Sequence, residues 1–223
     1  MNDKRLITLG IIILITSIVL KLVWSGLKNI KLDDFKPAAV IFVVDTSASN
    51  QKKLPEQKRF LQQICAQLDP EDQIKIIKVS EDAYIIYEGS PQNFSSIEKS
   101  LEAFAQYTPN DRGTAYGDGL KKAFNYALTM QKEGFLPSVI ILGDLENEGA
   151  SEKQINWDLL PKNISNVKKY IPELAMMFLF AHPQKLDFVK EKLYPVLGEQ
   201  KLIVAAEENA DKSLRKFFSA LGR

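Results

Sequence analysis

From residue 38 onward, short apolar runs alternate with longer amphipathic stretches. Runs of strand length lie at residues 38–45, 73–80, 83–89, 138–144, 173–182 and 201–208. Stretches with helical period lie at residues 52–68, 95–107, 114–134, 151–170, 185–198 and 211–222. This alternation predicts an α/β fold with a doubly wound, mostly parallel six-stranded sheet and helices on both faces. The short turn after residue 80 predicts that residues 83–89 form one antiparallel edge strand.

A different pattern precedes this domain. Residues 6–27 are almost wholly apolar and carry a single charge, Lys21, so they predict one transmembrane helix. A cleaved signal peptide and a buried soluble helix are the alternatives. The predicted organisation is a short tail at residues 1–5, the membrane helix at 6–27, a linker at 28–37 and the domain at 38–223.

The flanking charges bear on orientation and on partners. Basic residues lie on both sides of the predicted membrane helix, so the positive-inside rule alone does not fix its orientation. The short basic tail resembles that of a signal anchor, so we expect a single-pass membrane protein with its domain on the extracytoplasmic side. The chain has 29 basic and 28 acidic residues, and five of the basic ones precede residue 32, which leaves a mildly acidic domain. Such a domain is not expected to bind nucleic acid, which requires a concentrated basic face.

Two of the predicted strands end in aspartates, Asp45 and Asp144. In a sheet of this type, ligands bind beyond the carboxyl ends of the strands, where the strand order reverses. If the first and fourth strands are neighbours, both carboxylates lie in that crevice, together with the hydroxyls of Ser47 and Ser49 and, from another loop, Thr114. A set made only of oxygens favours Mg²⁺, with Mn²⁺ or Ca²⁺ as alternatives, over zinc or copper.

Three motifs in order resemble the von Willebrand factor type A (VWA) family. "DTSAS" at residues 45–49 matches its D-x-S-x-S signature, "RGTAYGDGL" at 112–120 resembles its threonine loop, and "VIILGDLEN" at 139–147 resembles its last strand. The resemblance covers residues 38 to about 220 and implies the doubly wound, Rossmann-like fold described above. It also implies a metal-ion-dependent adhesion site (MIDAS) in which an acidic side chain of a protein partner often completes the coordination. By resemblance, two serines bind the ion directly and the other three residues bind it directly or through water; the set is Asp45, Ser47, Ser49, Thr114 and Asp144.

The last motif departs from the family pattern. The family commonly has T-D-G, whereas this chain has Gly143, Asp144 and Leu145. Glu146 and Asn147 are close enough in sequence to compensate or to line a partner surface.

Four other polar or reactive residues are interpreted as structural. We expect Thr46 to lie outside the ligand set, Asp118 to cap a helix or support the site, and the only histidine, His182, to be structural. The only cysteine, Cys65, excludes a disulfide within the chain and is expected in the core.

These observations predict a membrane-anchored binding module that engages a protein partner through a divalent cation, and not an enzyme. The partner could be an extracellular ligand, a neighbouring membrane protein or an AAA+ ATPase. One alternative is an assembly subunit with a vestigial ion site. Another is a Mg²⁺-dependent phosphohydrolase with Asp45 as nucleophile, although such enzymes need a second carboxylate where this chain has Ser47.

Overall fold

The computed structural model describes Lys21 and residues 36–104, 113–146 and 150–222. The predicted membrane helix at residues 6–27 lies outside these residues, apart from Lys21, as does most of the predicted linker. Among the residues that are described, no helix combines the length and the hydropathy needed to cross a bilayer. The folded unit begins at Pro37.

Six described strands form one mixed sheet, as the hydrophobic pattern predicted. They are β1 (Ala38–Asp45), β2 (Gln73–Val79), β3 (Ala83–Gly89), β4 (Leu136–Leu142), β5 (Ala175–Leu179) and β6 (Leu202–Ala205). Their order is β3-β2-β1-β4-β5-β6, and only the β2–β3 pair is antiparallel. The strand order reverses between β1 and β4, so the crevice expected for a ligand lies at the carboxyl ends of these two strands.

Five of the described α-helices lie between strands in the sequence, and the sixth follows β6. They are α1 (Leu54–Cys65), α2 (Phe94–Phe104), α3 (Tyr116–Lys132), α4 (Leu160–Lys168), α5 (Pro183–Leu197) and α6 (Ala210–Ala220). Of residues 151–170, which the hydrophobic period predicted as helical, only Leu160–Lys168 form an α-helix, and Pro161 lies in its first turn, where its missing N–H costs nothing. The fourth strand ends at Leu142, so Asp144 lies in the following loop and not on the strand itself.

The central strand β1 explains the core, because all eight of its residues are buried. Val40, Phe42 and Val44 face a cluster that includes residues of α1 and α6. Ile41 and Val43 face the opposite cluster, which includes residues of α3. A strand covered on both faces must be apolar on both. For this reason the apolar residues of β1 form a continuous run and do not alternate with polar ones. Cys65 lies in the first cluster, as expected, and burial raises the pKa of its thiol to about 12.

Helix α3 lies unusually close to the sheet at Gly119. A Cβ atom at this position would lie 2.6 Å from Val79 Cγ1 and 3.0 Å from Val43 Cγ1. Valine side chains have little rotamer freedom, so they could not move aside easily. The absence of a side chain at Gly119 therefore lets the first turn of α3 lie against β1 and β2, near the end of β1 that carries Asp45.

We expect Gly119→Ala to destabilise the domain by about 1–3 kcal/mol, because overpacking outweighs the better helix propensity of alanine. Urea unfolding followed by circular dichroism measures the change. Lys122→Ala, at an exposed position of the same helix, is the control and should change stability by less than about 0.5 kcal/mol. A Gly119→Ala variant as stable as the wild type would contradict the close packing of α3.

Candidate metal centre

Asp45 is the centre of the candidate site. Its carboxylate lies at the end of β1 and is fully buried. Oδ1 accepts a hydrogen bond from the backbone N–H of Ser47 at 2.8 Å, and Oδ2 accepts one from the Tyr116 hydroxyl at 2.7 Å. Oδ2 also accepts from the side-chain amide of Asn50. These donors fix the orientation of the carboxylate.

Burial raises the pKa of Asp45 from 3.8 to about 6. Hydrogen bonds from Ser47 and Tyr116 oppose this rise, whereas the negative charge of Asp144 adds to it. The ionised form of Asp45 is therefore unfavourable in the fold without a compensating positive charge. Two interacting carboxylates in one buried crevice are an arrangement that a divalent cation would stabilise.

The two predicted serine ligands lie side by side. The Oγ atoms of Ser47 and Ser49 are 3.1 Å apart. Ser47 is buried and Ser49 is exposed, so the pair runs from the interior of the crevice to its mouth. Thr46 lies outside the set, as expected, because its hydroxyl donates to the carbonyl oxygen of Val79 on β2 at 3.3 Å.

Thr114 lies just before α3 and is 2% exposed. Its hydroxyl is buried and has no hydrogen-bond partner among the described residues, a state it shares with side-chain oxygens of Gln57, Gln63 and Ser138. An unpaired buried hydroxyl costs about 1–3 kcal/mol, so a ligand that bonds to Thr114 Oγ1 would remove this cost. The N–H of the next residue, Ala115, donates to the carbonyl oxygen of Ser80, the residue after β2, at 2.7 Å. Thr114 is thus held two residues before Tyr116, the residue that contacts Asp45.

Asp144 lies in the loop after β4 and is largely buried. Its Oδ1 accepts a hydrogen bond from the N–H of Glu146 at 2.9 Å, and its carbonyl oxygen accepts one from the N–H of His182 at 3.1 Å. The parallel pairing of β1 with β4 sets Asp45 beside this loop. The two aspartates therefore meet in the crevice, as the sequence predicted for neighbouring first and fourth strands.

Two residues of the site were missed by the sequence reasoning, Tyr116 and Asn50. Tyr116 has the helical spacing of a core residue and is fully buried, but its hydroxyl contacts Asp45. Asn50 is also fully buried and donates to the same carboxylate. The sequence contains one indication of such a residue. Gly143 stands where the family commonly has threonine, so a side chain from another part of the chain has to occupy the space of the missing threonine side chain.

The remaining polar candidates lie at the margin of the site. Asp118 is in the first turn of α3, where the helix dipole favours a carboxylate. His182 caps α5 by accepting from Gln184 N–H at 3.4 Å, which agrees with a structural role. Glu146 lies 3.8 Å from the Lys185 ammonium. Asn147 lies outside the described residues.

The donor set fits a hard divalent cation. It combines two carboxylates with three hydroxyls and contains no nitrogen or sulfur. Within the described residues, no three His, Cys, Asp or Glu side chains come together as a candidate metal group. A cation site here therefore depends on the hydroxyls of Ser47, Ser49 and Thr114 as well as on the two aspartates.

Residues 40–147 match the family model described as the von Willebrand factor type A domain. The matched segment is a VWA domain. The match includes all three motifs and the five predicted ligands. VWA domains are generally interaction modules and not enzymes. No curated protein matches the chain at a significant level.

Solved structures with the same fold share little sequence identity with this chain. The conserved hypothetical protein BatB from Bacteroides thetaiotaomicron is 17% identical, with a TM-score of 0.57 over 83% of this chain and 98% of that one. The pilus adhesin SpaC from Lactobacillus rhamnosus GG, in an open conformation, is 13% identical, with a TM-score of 0.62 over 85% of this chain and 30% of the adhesin. Proximal thread matrix protein 1 from the mussel byssus, with a zinc-occupied MIDAS motif, is 14% identical, with a TM-score of 0.57 over 83% of this chain and 48% of that protein. At these identities, the likeness shows the VWA fold alone.

The raised pKa of Asp45 predicts how the stability of the cation-free VWA domain depends on pH. A carboxyl whose pKa is higher in the fold than in the unfolded chain destabilises the fold only when it is ionised. Its cost to the free energy of unfolding is therefore absent below about pH 4 and complete above about pH 6. In EDTA, the free energy of unfolding should therefore fall by about 3 kcal/mol from this group as the pH rises from 4 to 7. Urea unfolding across this range measures the fall.

Asp45→Asn should remove this decline, because asparagine does not titrate. Asp82→Asn is the control, since Asp82 is on the surface and Lys153 lowers its pKa. That variant should keep the decline. The same pH dependence in Asp45→Asn as in the wild type would contradict the assignment to Asp45.

Proposed function

We propose that this chain is a membrane-anchored VWA module that binds a divalent cation and engages a protein partner through it. The ligands we assign are Asp45, Ser47, Ser49, Thr114 and Asp144. The observation that carries the proposal is the buried hydroxyl of Thr114, which has no partner among the described residues and lies two residues before Tyr116, the residue that contacts the buried Asp45. A bound cation would give this hydroxyl a partner and would balance the charge of the two carboxylates.

The residues around the site hold the two aspartates in place in the absence of a cation. Ser47 N–H, Asn50 and Tyr116 hold Asp45 in one orientation, and Glu146 N–H holds one oxygen of Asp144. A bound cation supplies positive charge and open coordination positions. With two carboxylates the charge of a divalent ion is roughly cancelled, and we favour Mg²⁺ because all five donors are hard oxygens. The mussel protein with a zinc-occupied MIDAS motif supports a divalent site in this fold, although its metal differs from the one we favour.

The partner is proposed to be a protein that presents an acidic side chain. Ser49 is the exposed member of the ligand set, so the crevice is open to solvent on the side of that residue. A carboxylate that enters there can complete the coordination and bring an extended surface against the loops around it. The likeness to a pilus adhesin supports a role in adhesion or assembly. The apolar run at residues 6–27 supports a single membrane anchor, and we place the domain on the extracytoplasmic side.

The phosphohydrolase alternative is disfavoured by the surroundings of Asp45. A nucleophile must reach its substrate, whereas this carboxylate is fully buried and both of its oxygens accept hydrogen bonds. The alternative of a vestigial ion site makes a different prediction from ours, and one pair of threonine variants separates the two.

Thr114→Val and Thr46→Val should have opposite effects. Thr114→Val removes a hydroxyl that has no hydrogen bond, so cation-free stability should be unchanged or rise by up to about 1 kcal/mol, while Mg²⁺ affinity should fall at least tenfold. Thr46→Val removes a hydroxyl that bonds to Val79 O, so stability should fall by about 1 kcal/mol while affinity is unchanged. Isothermal titration calorimetry and urea unfolding in EDTA measure the two quantities.

Absence of Mg²⁺ and Mn²⁺ binding in the wild type would overturn the proposed function and favour a vestigial site. Wild-type binding that Thr114→Val leaves unchanged would remove Thr114 from the ligand set.

Membrane attachment and partner binding are tested together on the full chain. We expect wild type and Thr114→Val to sediment equally with membranes and to need detergent for release, because residues 6–27 are unaltered. Affinity capture after solubilisation should recover a partner in Mg²⁺ but not in EDTA. Capture should be lost in Thr114→Val and kept in Thr46→Val. A chain that stays in the soluble fraction would contradict the anchor, and capture that persists in EDTA would contradict engagement through a cation.

A further inference from the structure

The departure of the last motif from the family pattern has a structural counterpart inside the site. Gly143 follows β4 and has no side chain where the family commonly has threonine. A Cβ atom at Gly143 would lie 2.0 Å from the Tyr116 hydroxyl oxygen, 2.6 Å from Asp45 Cβ and 3.1 Å from Asp45 Oδ2. The Tyr116 hydroxyl therefore occupies part of the volume that the side chain of residue 143 would require, and Asp45 borders the same space.

The Tyr116 hydroxyl uses both of its hydrogen-bonding capacities in this position. It donates to Asp45 Oδ2 at 2.7 Å and accepts from the N–H of Leu145 at 3.3 Å. The ring is fully buried on the first residue of α3. A side chain buried for core packing alone would need no oxygen, so this hydroxyl is best explained by the carboxylate it contacts.

The backbone of Leu145 is part of the same hydrogen-bond network as the Tyr116 hydroxyl. Leu145 has a φ of 64°, in the left-handed region that favours glycine, and glycine is what the family has at this place. Its side chain is fully buried, and its N–H is the one bonded to Tyr116. Burial of the side chain and this hydrogen bond together hold a conformation that leucine seldom adopts.

We infer that Tyr116 is a positioning residue of the proposed cation site, and that its hydroxyl replaces the side chain missing at Gly143. It holds Asp45 Oδ2 from one side and the Asp144 loop from the other, through Leu145 N–H. Compared with the family pattern, the last motif has glycine for threonine at residue 143 and leucine for glycine at residue 145. These two differences and the tyrosine in the threonine loop are then one coupled change. This inference rests on the proposed function, because a positioning role requires that a cation binds.

Tyr116→Phe tests the role, since it removes one oxygen and keeps the buried ring. Mg²⁺ affinity of the purified full chain, measured by calorimetry, should fall about tenfold. Tyr126→Phe is the matched control, because Tyr126 lies on the same helix and the charge that acts on its hydroxyl comes from Glu88 and Glu133, not from Asp45 or Asp144. That variant should bind Mg²⁺ as the wild type does. A purely structural role for Tyr116 would lower stability in EDTA without changing the affinity of the folded protein.

A second pair of variants tests the shared volume. Gly143→Ser should lower the urea midpoint strongly in the wild type, because its Cβ meets the Tyr116 hydroxyl and, less closely, Asp45 Cβ; Tyr116→Phe removes only the first of these contacts. In the Tyr116→Phe background the same change should cost less and should recover part of the lost Mg²⁺ affinity, since it returns a hydroxyl to the vicinity of Asp45. A double variant no more stable than Gly143→Ser alone would overturn the shared volume.

The outcomes separate this inference from the proposed function. A wild-type chain that binds no divalent cation would overturn both. Wild-type binding with equal affinity in Tyr116→Phe would overturn only the positioning role.

Discussion

The structure of the site depends on one constraint, the burial of the Asp45 carboxylate at the end of the central strand. Strand β1 is covered on both faces, so the residue that ends it is carried into the interior of the domain. A buried carboxylate is costly unless donors and positive charge surround it. Backbone N–H, an amide and a phenol supply the donors here, and their positions decide how the surrounding loops are arranged.

A second feature of the site follows from this arrangement. Asp45 has three donors besides the hydroxyl ligands we assign. Ser47 and Ser49 contact each other, and Thr114 Oγ1 has no hydrogen-bond partner among the described residues. A site of this kind is prepared for a ligand in its unbound form, because the costs of burial and orientation are met by folding. This supports a binding role, in which the domain presents a fixed site, better than a catalytic role for Asp45.

The accuracy of the sequence predictions varied between elements for physical reasons. The hydrophobic pattern located all six strands, because the residues of a buried strand must be apolar. It predicted the first and last residues of the strands less accurately. The fourth strand ends two residues before Asp144, since the chain turns to bring Leu145 into the core. The helical period at residues 151–170 extends beyond α4, which begins only at Leu160 with Pro161 in its first turn. Ser49 and Thr114 are predicted as ligands from spacing and resemblance, which depend on the sequence alone.

The sequence by itself determined the fold class, the two aspartates at one edge of the sheet and the all-oxygen character of the candidate site. These follow from local period and from motif spacing, both of which are properties of neighbouring residues. Only the tertiary structure decided which side chains hold Asp45. Tyr116 and Asp45 are 71 positions apart in the chain, and the fit of the tyrosine hydroxyl into the space above Gly143 depends on how closely α3 packs against β1. Packing distances of this kind are set by all the residues between two elements, so no short stretch of sequence encodes them.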